Sequence, residues 1–435
     1  MRNALILASV LGVFGYTQPG YTQSYPQQYP LILSDYKLAE FILLNAHGGT
    51  VMDDRSAKQI IKIDKKGLHR NGDDNDDSLA VPPCATNVSE ELHRLDVPGM
   101  SAVIVKNGRV ACTAVAGMAN IEKNRPVEPD TVFAWASVSK TVTAAAIMKL
   151  VENGAFKLDD DINAYLPFPV RIPACPEKPI TFLHLLTHTS SIVESEYEGV
   201  YADLYVKGDS PVALGDFLKD YLVPSGTYYD GENNFKRTCP GTVSSYSNVG
   251  VGLLGYLVEV VAGTPFELYT RDHIFAPLGM NEAAWKLSGL NVEHVAMPYS
   301  GDQSSGFKPL GHLGFPTFPD GLLRTSAPQL ARFLLMFMQF GELDGTRVLS
   351  QESVTKMRRV YFPNLDDSQG LIWFYDSFGP RKRVIGHDGS DPGTNSMMYF
   401  DPEDGAGVLL VANGSWERDR AEALVEKLFK EADQY

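Results

Sequence analysis

The stretch that most restricts what this chain can become is residues 133–154, where an extended apolar entry meets a serine and then a segment apolar on almost every side. Val142, Ala144, Ala145, Ala146, Ile147, Met148, Leu150 and Val151 leave a helix no face for water, so it belongs inside the protein. Asn153-Gly154 supplies its stop. Ser137 and Lys140 stand at its start, three apart and so on one face, which puts a hydroxyl within hydrogen-bonding reach of an amine. Alone, Ser-x-x-Lys is what a capping serine and a solvated lysine produce on any surface helix. At the start of a buried helix the lysine must be buried too, and an unpaired buried charge is costly enough to imply a use. The helix start adds partial positive charge and free N–H groups. These predict an easily ionised serine and an amine held neutral, able to work near neutral pH.

A chain of 435 residues exceeds one ordinary core, and 44% hydrophobic residues allow a large one, so two lobes or a domain with appendages are expected. The formal charge of −15 argues against nucleic acid or an anionic membrane as partner. Four acids within residues 71–77 read as a solvated loop rather than a metal cage. Met1-Arg2-Asn3 and the apolar residues 4–14 have the form of a secretory signal over residues 1–15, too short to span a bilayer. Residues 16–81 form a low-complexity leader, Tyr/Gln/Pro-rich at first, with one short helix around Leu38 and Phe41; the folded unit is residues 82–435. A secreted chain, periplasmic if bacterial, suits four cysteines, Cys84, Cys112, Cys175 and Cys239, with none, one or two disulfides. None has zinc-ligand spacing. Asn87 and Asn413 head glycosylation sequons.

Residues 101–105 and 109–115 alternate around Asn107-Gly108, the preferred two-residue hairpin turn. Near the other end, residues 383–386, 396–400 and 406–412 read as strands, followed by an amphipathic helix with Ala421, Leu424, Val425, Leu428 and Phe429 on one face. Strands from both ends around a helical middle predict an α+β fold: one antiparallel sheet formed from both chain ends, flanked by helices, with a mostly helical insertion lobe.

Two further constellations carry chemistry. Tyr246 and Asn248 lie two apart in an extended segment before a buried helix, and so point the same way. A phenol beside a lysine can shuttle a proton, and an amide can hold both a substrate carbonyl and the lysine. Gly386-His387-Asp388-Gly389-Ser390 closes a strand; a glycine there lets backbone approach a bound substrate, and the N–H groups of Ser137 and Ser390 would form an oxyanion hole. His184 and His188 read as structural loop histidines.

Together these three motifs resemble the serine β-lactamase and penicillin-binding-protein superfamily, in its class C β-lactamase-related branch, over about residues 95–415. The phrases Thr187-His188-Thr189-Ser190 and Pro277-Leu278-Gly279-Met280 look like that branch too. The resemblance implies the β-lactamase/transpeptidase-like fold, Ser137 as acylated nucleophile, Lys140 as its proton partner, Tyr246 as general base and Asn248 as a substrate and lysine ligand. It implies no metal or organic cofactor. Where β-lactamases have Lys-Thr-Gly this chain has His387-Asp388-Gly389, as esterase and D-aminopeptidase relatives do. Histidine is mostly neutral at pH 7 and Asp388 adds negative charge, so neutral esters or amides are expected over anionic antibiotics. Ser191 replaces the family's glycine after Thr-Ser. Cys175 and Cys239, each beside a proline in loops that border the cleft in that family, are the expected disulfide, while Cys112 looks like a small core residue.

The reading is a secreted serine hydrolase acting on a small ester, amide or short peptide. A peptidase on D-residues or an acyltransferase are same-class alternatives, and a non-catalytic secreted or matrix protein is the alternative from another class.

Overall fold

Asn107 and Gly108 both take positive φ, 52° and 76°, the geometry a tight hairpin needs, and turn β1 (Gly99–Lys106) into β2 (Arg109–Asn120). The computed structural model describes residues 81–194 and 202–435. The expected signal, the acidic run and all but the last residue of the expected leader lie outside those residues. β3 (Arg125–Pro126) follows β2, and the late strands β4 (Phe374–Phe378), β5 (Arg381–Asp391), β6 (Thr394–Phe400) and β7 (Gly407–Ala412) complete a seven-stranded sheet. Its order is β4-β5-β6-β7-β1-β2-β3, so the last strand pairs with the first, Met100 opposite Ala412 and Val105 opposite Gly407. Both chain ends thus build one antiparallel sheet, as the alternation predicts.

The alternation also sorts the two faces. On β1, Met100, Ala102 and Ile104 face a layer made by α1 (Val88–Leu95) and the closing helix, while Val103 and Val105 face the helical body. That body includes α2 (Ser139–Glu152), α3 (Phe182–Leu186), α4 (Leu214–Leu222), α5 (Asn248–Ala262), α6 (Phe266–Thr270), α7 (Ala327–Met338) and α8 (Gln351–Arg358). The closing helix α9 (Arg418–Ala432) buries Ala421, Leu424, Val425, Leu428 and Phe429.

α2 is buried from Ser139 to Met148 and packs on α5. Gly252 and Gly255 of α5 allow a second close approach: a Cβ at Gly255 would stand 2.4 Å from Cβ of Pro319, and one at Gly252 2.9 Å from Cβ of Thr317. The turn Phe318–Asp320 therefore lies directly on α5, which brings Asp320 against the start of α2.

Two disulfides are present, Cys84–Cys112 and Cys175–Cys239. The second is the expected one. The first corrects the reading of Cys112 as an unbridged core residue. Cys112 is fully buried in β2, as its alternation says, but residues 82–84 run alongside that strand, with N–H of Cys84 on Thr113 O and N–H of Thr113 on Pro82 O. Of the two sequons, Asn87 stays on the surface and caps α1. Asn413 does not fit a glycan: it is 2% exposed, and its Nδ2 donates to Met118 O and Met297 O at 3.0 and 2.9 Å.

Candidate active site

The helix start forms as a 3-10 turn, Ala136–Val138, running straight into α2. Ala136 has φ 43°, a left-handed backbone that costs a residue with a Cβ about 1–2 kcal/mol. Such strain persists where surroundings dictate it, and here the next residue, Ser137, lines a cleft of about 450 Å³. Tyr246, His387, Gly389, Ser390, Asn395 and Arg418 line the same cleft. Gly389 explains part of this convergence. A Cβ there would lie 2.8 Å from N of Ser137 and 2.8 Å from O of Trp135, so the glycine lets β5 lie against the turn carrying Ser137.

Lys140 is fully buried, and its Nζ donates to Ser137 Oγ at 2.9 Å and to Asp320 O at 2.7 Å. Tyr246 completes the set, near enough to Lys140 and Ser137 for both to act on its phenol. Nζ stands 5.0 Å from the Tyr246 ring centroid. Tyr246 lines the cleft and is 42% exposed.

The protonation differs from the expectation of a neutral amine. Burial alone would lower Lys140, but Tyr246 and the Asp320 carboxylate, 3.9 Å from Nζ, outweigh it and raise the amine above its ordinary value. Burial raises the phenol of Tyr246 as well, against the pull of the Lys140 ammonium. Both groups lie above their ordinary values, so the pair rests as ammonium and phenol.

His387 is 2% exposed, with Nδ1 on Asp388 O at 2.5 Å and its ring edge against Phe374. Burial, helped by Lys140, pulls it down to about 4, so it is neutral at pH 7 as expected. Asp388 is not the unopposed negative charge the sequence implies. Arg418, the first residue of α9, bonds its carboxylate and also reaches Asp376 at 3.3 Å and Glu422 at 2.6 Å. Asn248 opens α5 rather than lying in the extended segment, and its N–H is bonded by the Glu194 carboxylate. Glu194 also takes the Ser247 hydroxyl at 3.0 Å, and burial pushes it up to about 7. Asp391, half-buried, is likewise pushed up to about 7 by desolvation and by Asp320, with the Tyr205 hydroxyl on it at 2.9 Å.

Asp320, Glu194, Asp391 and Arg418 carry no motif, and sequence reasoning missed them. His184 is structural as expected: it closes the capping box of α3 with Thr181. Ser191 keeps the left-handed backbone that the family's glycine would adopt freely, φ 66°, with its hydroxyl 3.2 Å from that of Thr238.

The Beta-lactamase family profile matches residues 85–429. The chain belongs to the Beta-lactamase family. Among this family's characterised members it is similar to Penicillin-binding protein 4 of Amycolatopsis lactamdurans, 29% identical over 330 residues, 73% of this chain and 81% of that protein. It is 24% identical over 328 residues to Protein flp of Staphylococcus aureus (strain MW2), covering 75% of this chain and 62% of the longer relative. In structure it is similar to the octameric penicillin-binding protein homologue from Pyrococcus abyssi, with a TM-score of 0.63 and 28% identity over 79% of this chain and 76% of the other. The fold of this Beta-lactamase family member is β-lactamase/transpeptidase-like.

Proposed function

We propose that the protein is a secreted serine hydrolase that opens ester or amide bonds through an acyl-enzyme on Ser137. The observation that carries this is the 2.9 Å contact between a fully buried lysine amine and the Ser137 hydroxyl at the floor of an open cleft. A binding protein has no physical need of a buried ammonium held against a serine. Membership of the Beta-lactamase family supports a hydrolase of this type, and two disulfides together with the signal-like start favour export.

In this reading Ser137 Oγ attacks the carbonyl carbon while its proton passes to the Lys140–Tyr246 pair, which must first have lost one proton. The N–H groups of Ser137 and Ser390 take the oxyanion. The tetrahedral intermediate collapses, its bond to the leaving alcohol or amine breaks, and the pair returns the proton to that group. Water then adds to the acyl carbon and gives a proton to the pair; the bond to Ser137 Oγ breaks, the pair returns that proton to Oγ, and the acid leaves. His387 and Gly389 shape the wall beside this centre, and Asn248 holds the substrate carbonyl. Small neutral esters, amides or short peptides are the proposed substrates.

A fluorophosphonate probe with peptide mapping tests the reading, alongside turnover of a p-nitrophenyl ester. The expected result is label on Ser137, and loss of both label and turnover in Ser137→Ala, whose melting stays close to the wild type. Turnover that survives in Ser137→Ala sinks the assignment.

A further inference from the structure

Tyr246 stands with 42% of its surface open to the cleft, so something other than burial has to fix its ring. The residue that does so lies 58 positions earlier in the chain. The carbonyl of His188 accepts N–H of Ser245 at 2.8 Å, and its Nδ1 accepts N–H of Ser247 at 3.2 Å. One residue thus grips the backbone on either side of Tyr246. Its ring lies beside the phenol, centroids 4.5 Å apart and planes 33° from parallel.

Two further features set His188 apart from an ordinary loop histidine. Its φ of 54° is a left-handed conformation that favours glycine or asparagine, so an imidazole is retained there at a conformational cost. Because Nδ1 receives a backbone N–H, the ring proton belongs on Nε2, and among the described residues that nitrogen has no protein partner although the residue is 3% exposed. A histidine kept only for packing would satisfy both nitrogens.

We propose that His188 is the positioning residue of the general base, setting where the Tyr246 hydroxyl stands relative to Lys140 and Ser137. This rests on the reading of Tyr246 as that base. The charged and titratable groups facing the imidazole are Lys140, Tyr246 and His387. Burial, Lys140 and His387 keep His188 neutral, so it presents an uncharged ring to the phenol.

Two variants separate its parts. His188→Asn accepts the left-handed backbone and keeps an acceptor for Ser247 N–H but removes the ring; His188→Phe keeps a ring and removes the acceptor. Turnover of a p-nitrophenyl ester, counted per site labelled by fluorophosphonate, is followed against pH. Both variants are expected to lose kcat by about 10²-fold, the scale of a 1 Å misplacement, with KM within about two-fold. The pH limb of kcat should move as well. If His188→Phe does not fold, His188→Asn decides alone. Unchanged kcat per labelled site with an unchanged pH profile in His188→Asn overturns the proposal and leaves the hydrolase reading standing. Activity that survives in Ser137→Ala overturns that reading instead, and this inference with it.

Discussion

The carbonyl oxygen of Asp320 accepts a 2.7 Å hydrogen bond from Nζ of Lys140, 180 residues earlier in the chain. That bond helps fix the amine that also donates to Ser137, and the Asp320 carboxylate lies within 3.9 Å of the same nitrogen. A negative charge there favours the protonated amine and disfavours the phenolate, so it raises both Lys140 and Tyr246.

A pH dependence follows with a definite sign. The competent state lacks one proton from the Lys140–Tyr246 pair, and both groups lie above their ordinary values, so that state fills only as pH rises. Ester turnover by the wild type should still be climbing at about pH 9, above the range where an unperturbed histidine base would have levelled off. Asp320→Asn removes a charge that raises both groups and should move the limb toward lower pH. A wild-type plateau reached by neutral pH, or a limb that Asp320→Asn leaves in place or moves upward, contradicts this account.

The contrast between Lys140 and Asp320 indicates what the sequence could reveal. Ser137 and Lys140 were legible because a helix fixes their spacing, and an all-apolar segment after them announces burial. The sheet was legible because alternation and Asn107-Gly108 act over a few residues. Asp320 was not, because its place depends on Gly252 and Gly255 letting another segment settle on α5, a tertiary fact with no local signature. Arg418 was hidden in the same way. It reads as one more surface charge at a helix start until the sheet brings β5 and its Asp388 alongside. The neutral amine expected from the helix start is not what the structure favours, because that argument omitted Tyr246 and Asp320, which the fold brings to the amine from elsewhere in the chain.

Substrate preference is expected to favour neutral acyl donors. His387 is neutral at pH 7, and the cation in the cleft wall, Arg418, already serves Asp376, Asp388 and Glu422. A p-nitrophenyl ester should therefore be turned over faster than a chromogenic cephalosporin, which bears a carboxylate. His387→Lys should shift the ratio toward the cephalosporin by about ten-fold, the low end for one charge-assisted hydrogen bond. Faster cephalosporin turnover by the wild type, or a ratio indifferent to His387→Lys, would count against it.

Glu194 offers a test of stability rather than rate. Its folded value of about 7 lies above the ordinary carboxylate range, chiefly through burial. A carboxyl raised in this way binds its proton better in the folded than in the unfolded chain. Its contribution is most favourable below the unfolded value of about 4.3 and is lost as pH rises through the folded one. Glu194→Gln keeps an acceptor oxygen for Asn248 N–H and cannot ionise, so its melting temperature relative to the wild type should rise between pH 5 and pH 8. A difference that does not change with pH, measured by thermal denaturation of both proteins, would show that Glu194 stays ionised across that range.

Cys175–Cys239 should matter to activity before it matters to the sheet. The bridge joins two loops of the helical body across 64 positions, a closure worth about 4 kcal/mol in the loop-entropy account. It also stands just ahead of the Tyr246 segment: N–H of Gly241 bonds Thr189 O, and N–H of Ser245 bonds His188 O. Cys84–Cys112 instead ties the start of the folded unit to β2, on the sheet face away from the cleft. Replacing Cys175 and Cys239 by serine should therefore lower ester turnover while the melting of the sheet, followed by circular dichroism, changes less. Replacing Cys84 and Cys112 should do the reverse, lowering the melting temperature with turnover per labelled site unchanged. Peptide mapping without reductant establishes the starting point, and recovery of Cys175 and Cys239 as free thiols would remove the physical basis of the first prediction.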